Sequence, residues 1–174
     1  MIKRKGFTLV ELLVVGIVVG LLIVSALMVL GSARQKARDA KRLVDVRELR
    51  SSLQSYFNDR DAYPTGTNLM LGAGKDCGTG TTCTAISSTN GIASTAAGTI
   101  YMTTINSDPS APVAAKCTSN SGSVCNYSYS VVNVGTGAVA DGYEIYFFLE
   151  APIGGLANGL NCATEAGVGS TCIH

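Results

Sequence analysis

Residues 1–24 read MIKRKGFTLVELLVVGIVVGLLIV, and Glu11 is the only charged residue from Phe7 to Gly31. About 20 apolar residues are enough to cross a bilayer, so this run predicts a membrane-spanning helix. A carboxylate at bilayer depth costs on the order of 2.5–3.5 kcal/mol on insertion scales. Glu11 therefore asks for a partner. Lys3, Arg4 and Lys5 lie directly before the run, and the positive-inside tendency places the N-terminus in the cytoplasm and the remainder outside.

The rest of the composition fits that orientation. Residues 1–58 carry ten Lys/Arg against four Asp/Glu, and residues 59–174 carry three against eight, for a net charge of +1 over the chain. This describes a basic stalk joined to an acidic head, which either attract one another between subunits or are simply solvated. All six cysteines, Cys77, Cys83, Cys117, Cys125, Cys162 and Cys172, fall in the second half. No histidine lies among them and none of the spacings is that of a zinc site. Six cysteines allow fifteen pairings, among which proximity favours 77–83, 117–125 and 162–172. An even number in a loop-rich region points to disulfides and an oxidising, extracytoplasmic compartment.

A cleaved secretory signal would have a shorter apolar core, of about 7–15 residues. An ordinary single-pass anchor would leave Glu11 without a reason. A third reading accounts for it: cleavage after Gly6 removes the basic leader and frees the α-amine of Phe7. Glu11 then lies four residues away, roughly 6 Å of helix rise. In a bundle of such helices the amine of one chain neutralises Glu11 of its neighbour and selects the axial register. Gly16 and Gly20 form a small-xxx-small pair suited to close helix approach.

Gly6-Phe7-Thr8-Leu9-Val10-Glu11-Leu12 resembles the class III signal of the type IV pilin and pseudopilin family. The resemblance covers about the first thirty residues. It implies that prepilin peptidase cuts after Gly6 and methylates Phe7, and that Glu11 is the register glutamate. It also implies partners: further copies of the chain, the peptidase, an inner-membrane assembly platform with its ATPase, and lipid before assembly. The localisation implied is a single pass of the inner membrane with the N-terminus cytoplasmic, the head extracytoplasmic, and assembly into a pilus on the cell surface.

Beyond Gly31, Val46, Leu49, Leu53 and Tyr56 or Phe57 recur at three- and four-residue spacing, the mark of one buried helical face. Proline is absent from residues 7–58, which predicts a single helix of about 80 Å. Alternation with Asp39, Asp45 and Glu48 makes its charged side a solvated or intersubunit face, so no nucleic-acid partner is expected. The expected division is a leader (1–6), a transmembrane and assembly half-helix (7–31), an amphipathic half-helix (32–58) and a globular head (59–174).

In the head, Tyr63-Pro64-Thr65-Gly66 forces a turn, and this Ala-Tyr-Pro after the helix also resembles the family, as does Asp108-Pro109. Residues 65–97, rich in Gly, Thr, Ser and Ala, read as loop with little regular structure. GTIYMTTI reads as a short strand or a turn. NYSYSVVNV and GYEIYFFLE read as an antiparallel hairpin with Tyr129, Val131, Ile145 and Phe147 facing inward. The tail reads as a small turn or hairpin closed by its own disulfide. The fold expected is α+β and pilin-like, one long N-terminal helix packed against a small antiparallel sheet.

No catalytic residue, metal site or cofactor is expected. The only histidine is His174 at the end of the sequence, and neither a Gly-x-Ser-x-Gly nor a phosphate loop is present. Two departures from the family pattern matter. Met28 stands where many relatives carry a helix-bending proline, which implies a straighter helix. Asp108-Pro109 is followed by Ser110-Ala111 in place of Trp-Gly, and Glu165 is the only acid of the tail, so no calcium loop is expected. These departures favour an extracellular pilus over a type II secretion pseudopilin. A membrane-tethered binding module that never polymerises is the alternative from another class.

Overall fold

The computed structural model describes residues 6–72, 77, 80–112, 114–135 and 140–172, with the side chain of Met28 also left out. Lys3, Arg4 and Lys5, the side chain of Met28 and His174 lie outside the described residues. Contacts divide the chain into two compact units, Met1–Lys36 and Ala37–His174. Helix α1, Leu9–Arg60, contributes to both.

At its start, Thr8 accepts a hydrogen bond from the Glu11 amide at 3.3 Å, and Thr-x-x-Glu has the form of a capping box. At its end, Asp61 adopts φ 54° and its N–H donates to the Phe57 carbonyl at 2.8 Å. This left-handed cap satisfies a terminal carbonyl, and it carries the helix two residues past the stop expected at Asn58.

The second unit holds two antiparallel sheets where one was expected. Five strands, β1 (Leu69–Met70), β5 (Ser128–Val132), β6 (Gly142–Leu149), β7 (Gly159–Ala163) and β8 (Val168–Gly169), lie in the order β1-β5-β6-β7-β8. Three more, β2 (Ala85–Ser87), β3 (Gly91–Ala93) and β4 (Ile100–Met102), form a sheet in the order β3-β2-β4. The β5–β6 hairpin pairs Tyr129 with Ile145 and Val131 with Tyr143. The tail forms the β7–β8 hairpin, pairing Ala163 with Val168.

Period-two alternation selects the inner face of β6: Tyr143, Ile145, Phe147 and Leu149 are buried, while Glu144, Tyr146 and Phe148 are half-buried. These side chains meet Val46, Leu49 and Leu53 of α1 in one core with Tyr127 and Tyr129. Of the expected inward residues, Tyr129, Ile145 and Phe147 are buried and Val131 is only half-buried. Tyr63 closes the core beneath the helix end, 4.7 Å from the Phe57 ring and edge-on to Tyr143 at 4.8 Å. The Tyr129 hydroxyl donates to the Pro64 carbonyl at 2.7 Å, tying this corner to β5.

Residues 65–97 are the main correction, because β1, β2 and β3 fall within them. Leu69, Leu71, Ile86 and Ile92 are buried there. Strands of two or three residues are too short to show a period among glycines and threonines, and only the core they cover reveals them. Gly72, at φ +88°, illustrates the crowding: a Cβ there would lie 2.7 Å from the Ser107 backbone nitrogen. Only glycine admits both that φ and that approach.

The core predicts its own sensitivity. Leu53→Ala, at a fully buried site, is expected to lower stability by about 2–5 kcal/mol. Leu12→Ala, at an exposed site, is expected to change it little. Urea titration of the two variants in detergent, followed by tyrosine fluorescence, checks both.

Candidate functional site

In the first unit the apolar run is uncovered by its own chain. Phe7, Leu9 and Val10 are exposed, as are the large aliphatic residues that follow through Leu30. The most apolar window has a mean hydropathy of 3.1 with none of its surface buried, and the helix is long enough to cross a membrane. Exposed apolar surface of this extent requires lipid or other helices. The hydroxyls within the run are satisfied internally: Ser25 donates to the Leu21 carbonyl at 2.9 Å and Ser32 to the Val29 carbonyl at 3.0 Å.

Glu11 differs. Its backbone is capped, but its carboxylate has no partner among the described residues. Gly16 and Gly20 lie on adjacent turns of one face, and a Cβ at either would meet nothing within 4 Å. The chain's own fold therefore does not require glycine there, although each costs about 1 kcal/mol of helix propensity relative to alanine. Gly6 and Phe7 precede the helix, with Phe7 exposed.

In the second unit a buried charge cluster sits where a solvated or intersubunit face was expected. Asp39, Arg42 and Asp45 are buried, with Arg42 fully so. Asp39 and Arg42 extend the three-four spacing of Val46, Leu49 and Leu53 toward the N-terminus. Charges thus occupy the same stripe as the apolar core, and tracing that stripe upstream of Val46 would have found them.

Each of the five guanidinium donors of Arg42 is used. Nε and Nη2 grip Asp108 at 2.6 and 3.0 Å, Nη1 donates to Asp39 at 2.6 Å and to Glu150 at 2.8 Å, and Nη2 donates to Ser110 Oγ at 2.7 Å. Asp39 also accepts the backbone N–H groups of Glu150 and Ala151 at 3.0 and 2.9 Å. Asp108 accepts those of Ser110 and Ala111 at 2.8 and 2.9 Å, folding the Asp-Pro segment around its own carboxylate. Arg38 forks onto Glu150 from the turn above.

Burial alone would lower the Arg42 pKa, but hydrogen bonds to Asp108, Glu150 and Asp39 raise it above its ordinary value. Hydrogen bonding from Arg38, against the opposing effect of burial and with help from Arg42, brings the Glu150 carboxyl down to about 2. One turn below, Asp45 accepts from Asn106 Nδ2 at 3.0 Å and from the Tyr127 hydroxyl at 3.1 Å. Burial, then the Asp45 charge, pushes the Tyr127 hydroxyl above its ordinary range. Arg50 reaches the carbonyls of Thr164 and Glu165 at 3.1 and 3.4 Å.

This cluster is suited to fastening segments together. Its three carboxylates converge on a guanidinium, which already supplies the positive charge that a cation would bring. Among the described residues, no group of three or more His, Cys, Asp or Glu side chains is placed to hold a metal ion. The six cysteines pair as Cys77–Cys83, Cys117–Cys125 and Cys162–Cys172, with Cα separations of 5.1, 5.0 and 5.2 Å. Compared with known proteins, the chain matches no family model, no curated protein and no solved structure.

Arg42→Ala would leave buried carboxylates unpaired and is expected to destabilise by about 3–5 kcal/mol. Chemical denaturation of the variant beside the wild type checks this. The pH dependence follows from the depressed Glu150 pKa. Its contribution is complete above the unfolded value of about 4.5 and is lost as pH falls through the folded value of about 2. Thermal melts between pH 6 and pH 2, the range set by these values, are expected to fall less steeply for Glu150→Gln than for wild type.

Proposed function

We propose that the chain is a structural subunit of a type IV pilus-like filament, cleaved after Gly6, methylated on Phe7 and polymerised through α1. One observation carries this reading: the exposed apolar run that opens α1 bears a single carboxylate, Glu11, that has no partner among the described residues. A neighbour's N-terminal amine satisfies that carboxylate, and neighbouring apolar helices cover the rest. Before assembly the run is stored in the inner membrane, with lipid around it. The peptidase and an assembly platform with its ATPase are the partners that this role requires, and it requires no catalysis by the chain itself.

The uncovered glycines support the same reading, since Gly16 and Gly20 leave room for a second helix. A head of short strands and three local disulfides suits an exposed, oxidising location.

The test is the N-terminal mass of the protein from membranes and from sheared surface material. A chain beginning with methylated Phe7 in the sheared fraction is the expected result. Processed protein confined to the membrane would favour a secretion pseudopilin. An intact Met1 would overturn the filament reading in favour of a tethered binding module, and a cut beyond the apolar run would overturn it in favour of a secreted one. Glu11→Ala is expected to abolish sheared filaments while leaving the membrane pool and its processing in place, which immunoblotting of the two fractions measures.

A further inference from the structure

The C-terminal exit of the apolar run carries two cations that neither the core nor the filament reading uses. Arg34 and Lys36 are exposed, and neither has a hydrogen-bond or ion-pair partner among the described residues. Lys41 is exposed like them but lies ten residues beyond Gly31, roughly 15 Å of rise and past the polar layer of a bilayer, whereas Arg38 and Arg42 are engaged within the second unit. Arg38 is held by Glu150, and Arg42 by Asp39, Asp108 and Glu150. Asp39, the nearest acid in sequence, is fully engaged by Arg42 and two backbone amides.

Helical geometry sets the level of the two cations. Arg34 lies three residues beyond Gly31 and Lys36 five, or roughly 4.5 and 7.5 Å of rise. The polar layer of a bilayer extends about 5–8 Å beyond each side of the hydrocarbon core. With Gly31 at the edge of the hydrocarbon, which the run of 25 residues reaches with some tilt, both groups stand at the depth of the lipid phosphates. Two residues apart, they project from nearly opposite sides of the helix, about 200° around it. Ser32, between them and the apolar run, is already satisfied by the Val29 carbonyl and adds no competing donor.

We infer that Arg34 and Lys36 form a binding site for anionic phospholipid headgroups, a two-sided clamp that holds the helix at a fixed depth before assembly. Charge complementarity and direct continuity with the apolar run point to a lipid surface as the occupant. The site deepens the proposed membrane-stored state and rests on the reading of residues 7–31 as a span. Each cation near an anionic surface contributes on the order of a fivefold preference at low salt, the equivalent of about 1 kcal/mol. Screening removes that preference as salt rises. Leaving the bilayer for a filament means giving up both headgroup contacts.

The sequence contains no tryptophan, so Leu30→Trp places a single reporter just inside the clamp. The full chain carrying it is reconstituted in phosphatidylcholine vesicles containing a minority of phosphatidylglycerol, with chain-brominated quencher on one lipid or the other. Blue-shifted emission reports insertion, and red emission would overturn the span and the clamp together. In an inserted chain, quenching by brominated phosphatidylglycerol is expected to exceed its mole fraction severalfold at low salt. The excess is expected to fall at high salt and to vanish in Arg34→Gln/Lys36→Gln. Inserted protein with no such excess, or an excess unchanged in the double variant, would overturn the clamp alone. With phosphatidylglycerol kept in large molar excess over protein, an excess that falls as the protein-to-lipid ratio rises would assign the cations to acids of a second copy and likewise overturn it.

Discussion

A buried guanidinium is tolerated only when every donor has an acceptor and the charge has a counterion, and Arg42 meets both conditions inside the head. Its acceptors come from three places far apart in sequence: α1 itself, the Asp108-Pro109 segment and the end of β6. These contacts fix where the Asp-Pro segment crosses the helix and how β6 sits along it. Lysine offers three donors from a point charge and cannot form the fork onto Asp108. The hydrophobic core below supplies most of the burial, while the cluster supplies direction: sliding the helix by one turn would strand four charged groups.

Neighbouring positions of one helix therefore do different work. Arg38, Arg42 and Arg50 face acceptors in the second unit, and Arg60 donates to the Ser88 carbonyl. Arg34, Lys36, Lys41 and Arg47 face outward. This division follows helical angle more than composition, since both sets are drawn from the same basic stretch. Elsewhere the second unit relies on covalent ties. Its longer connections are rich in glycine, serine and threonine, which bury little apolar surface, and three disulfides close short loops in such segments, each contributing about 2–4 kcal/mol.

Elements with several consecutive turns or alternations are legible in the sequence. The apolar run, the stripe Val46-Leu49-Leu53 and the β5–β6 hairpin each repeat their period often enough to be read. Strands β1 to β3 are not, because two or three residues carry no period and their burial depends on what packs over them. Asp39 and Asp45 escape the sequence for a different reason: charge points to a solvated or intersubunit face, whereas both are buried beside the core stripe. Thr8 carries a local signal, a Thr-x-x-Glu cap, that is legible in the sequence without any distant contact.

The sequence by itself determined the long helix, its change from uniformly apolar to amphipathic after Gly31, the hairpin of the main sheet and the segregation of cysteines into the head. These follow from local periodicity and from the number of residues needed to cross a bilayer, which no distant contact alters. Only the tertiary structure decided that Arg42 is buried, that Asp108 and Glu150 are its counterions, and that the glycine-rich segment holds a second sheet. Those outcomes depend on groups 66 and 108 residues away along the chain. Whether a charge is solvated or paired is a property of the space around it, and the space is set by the fold.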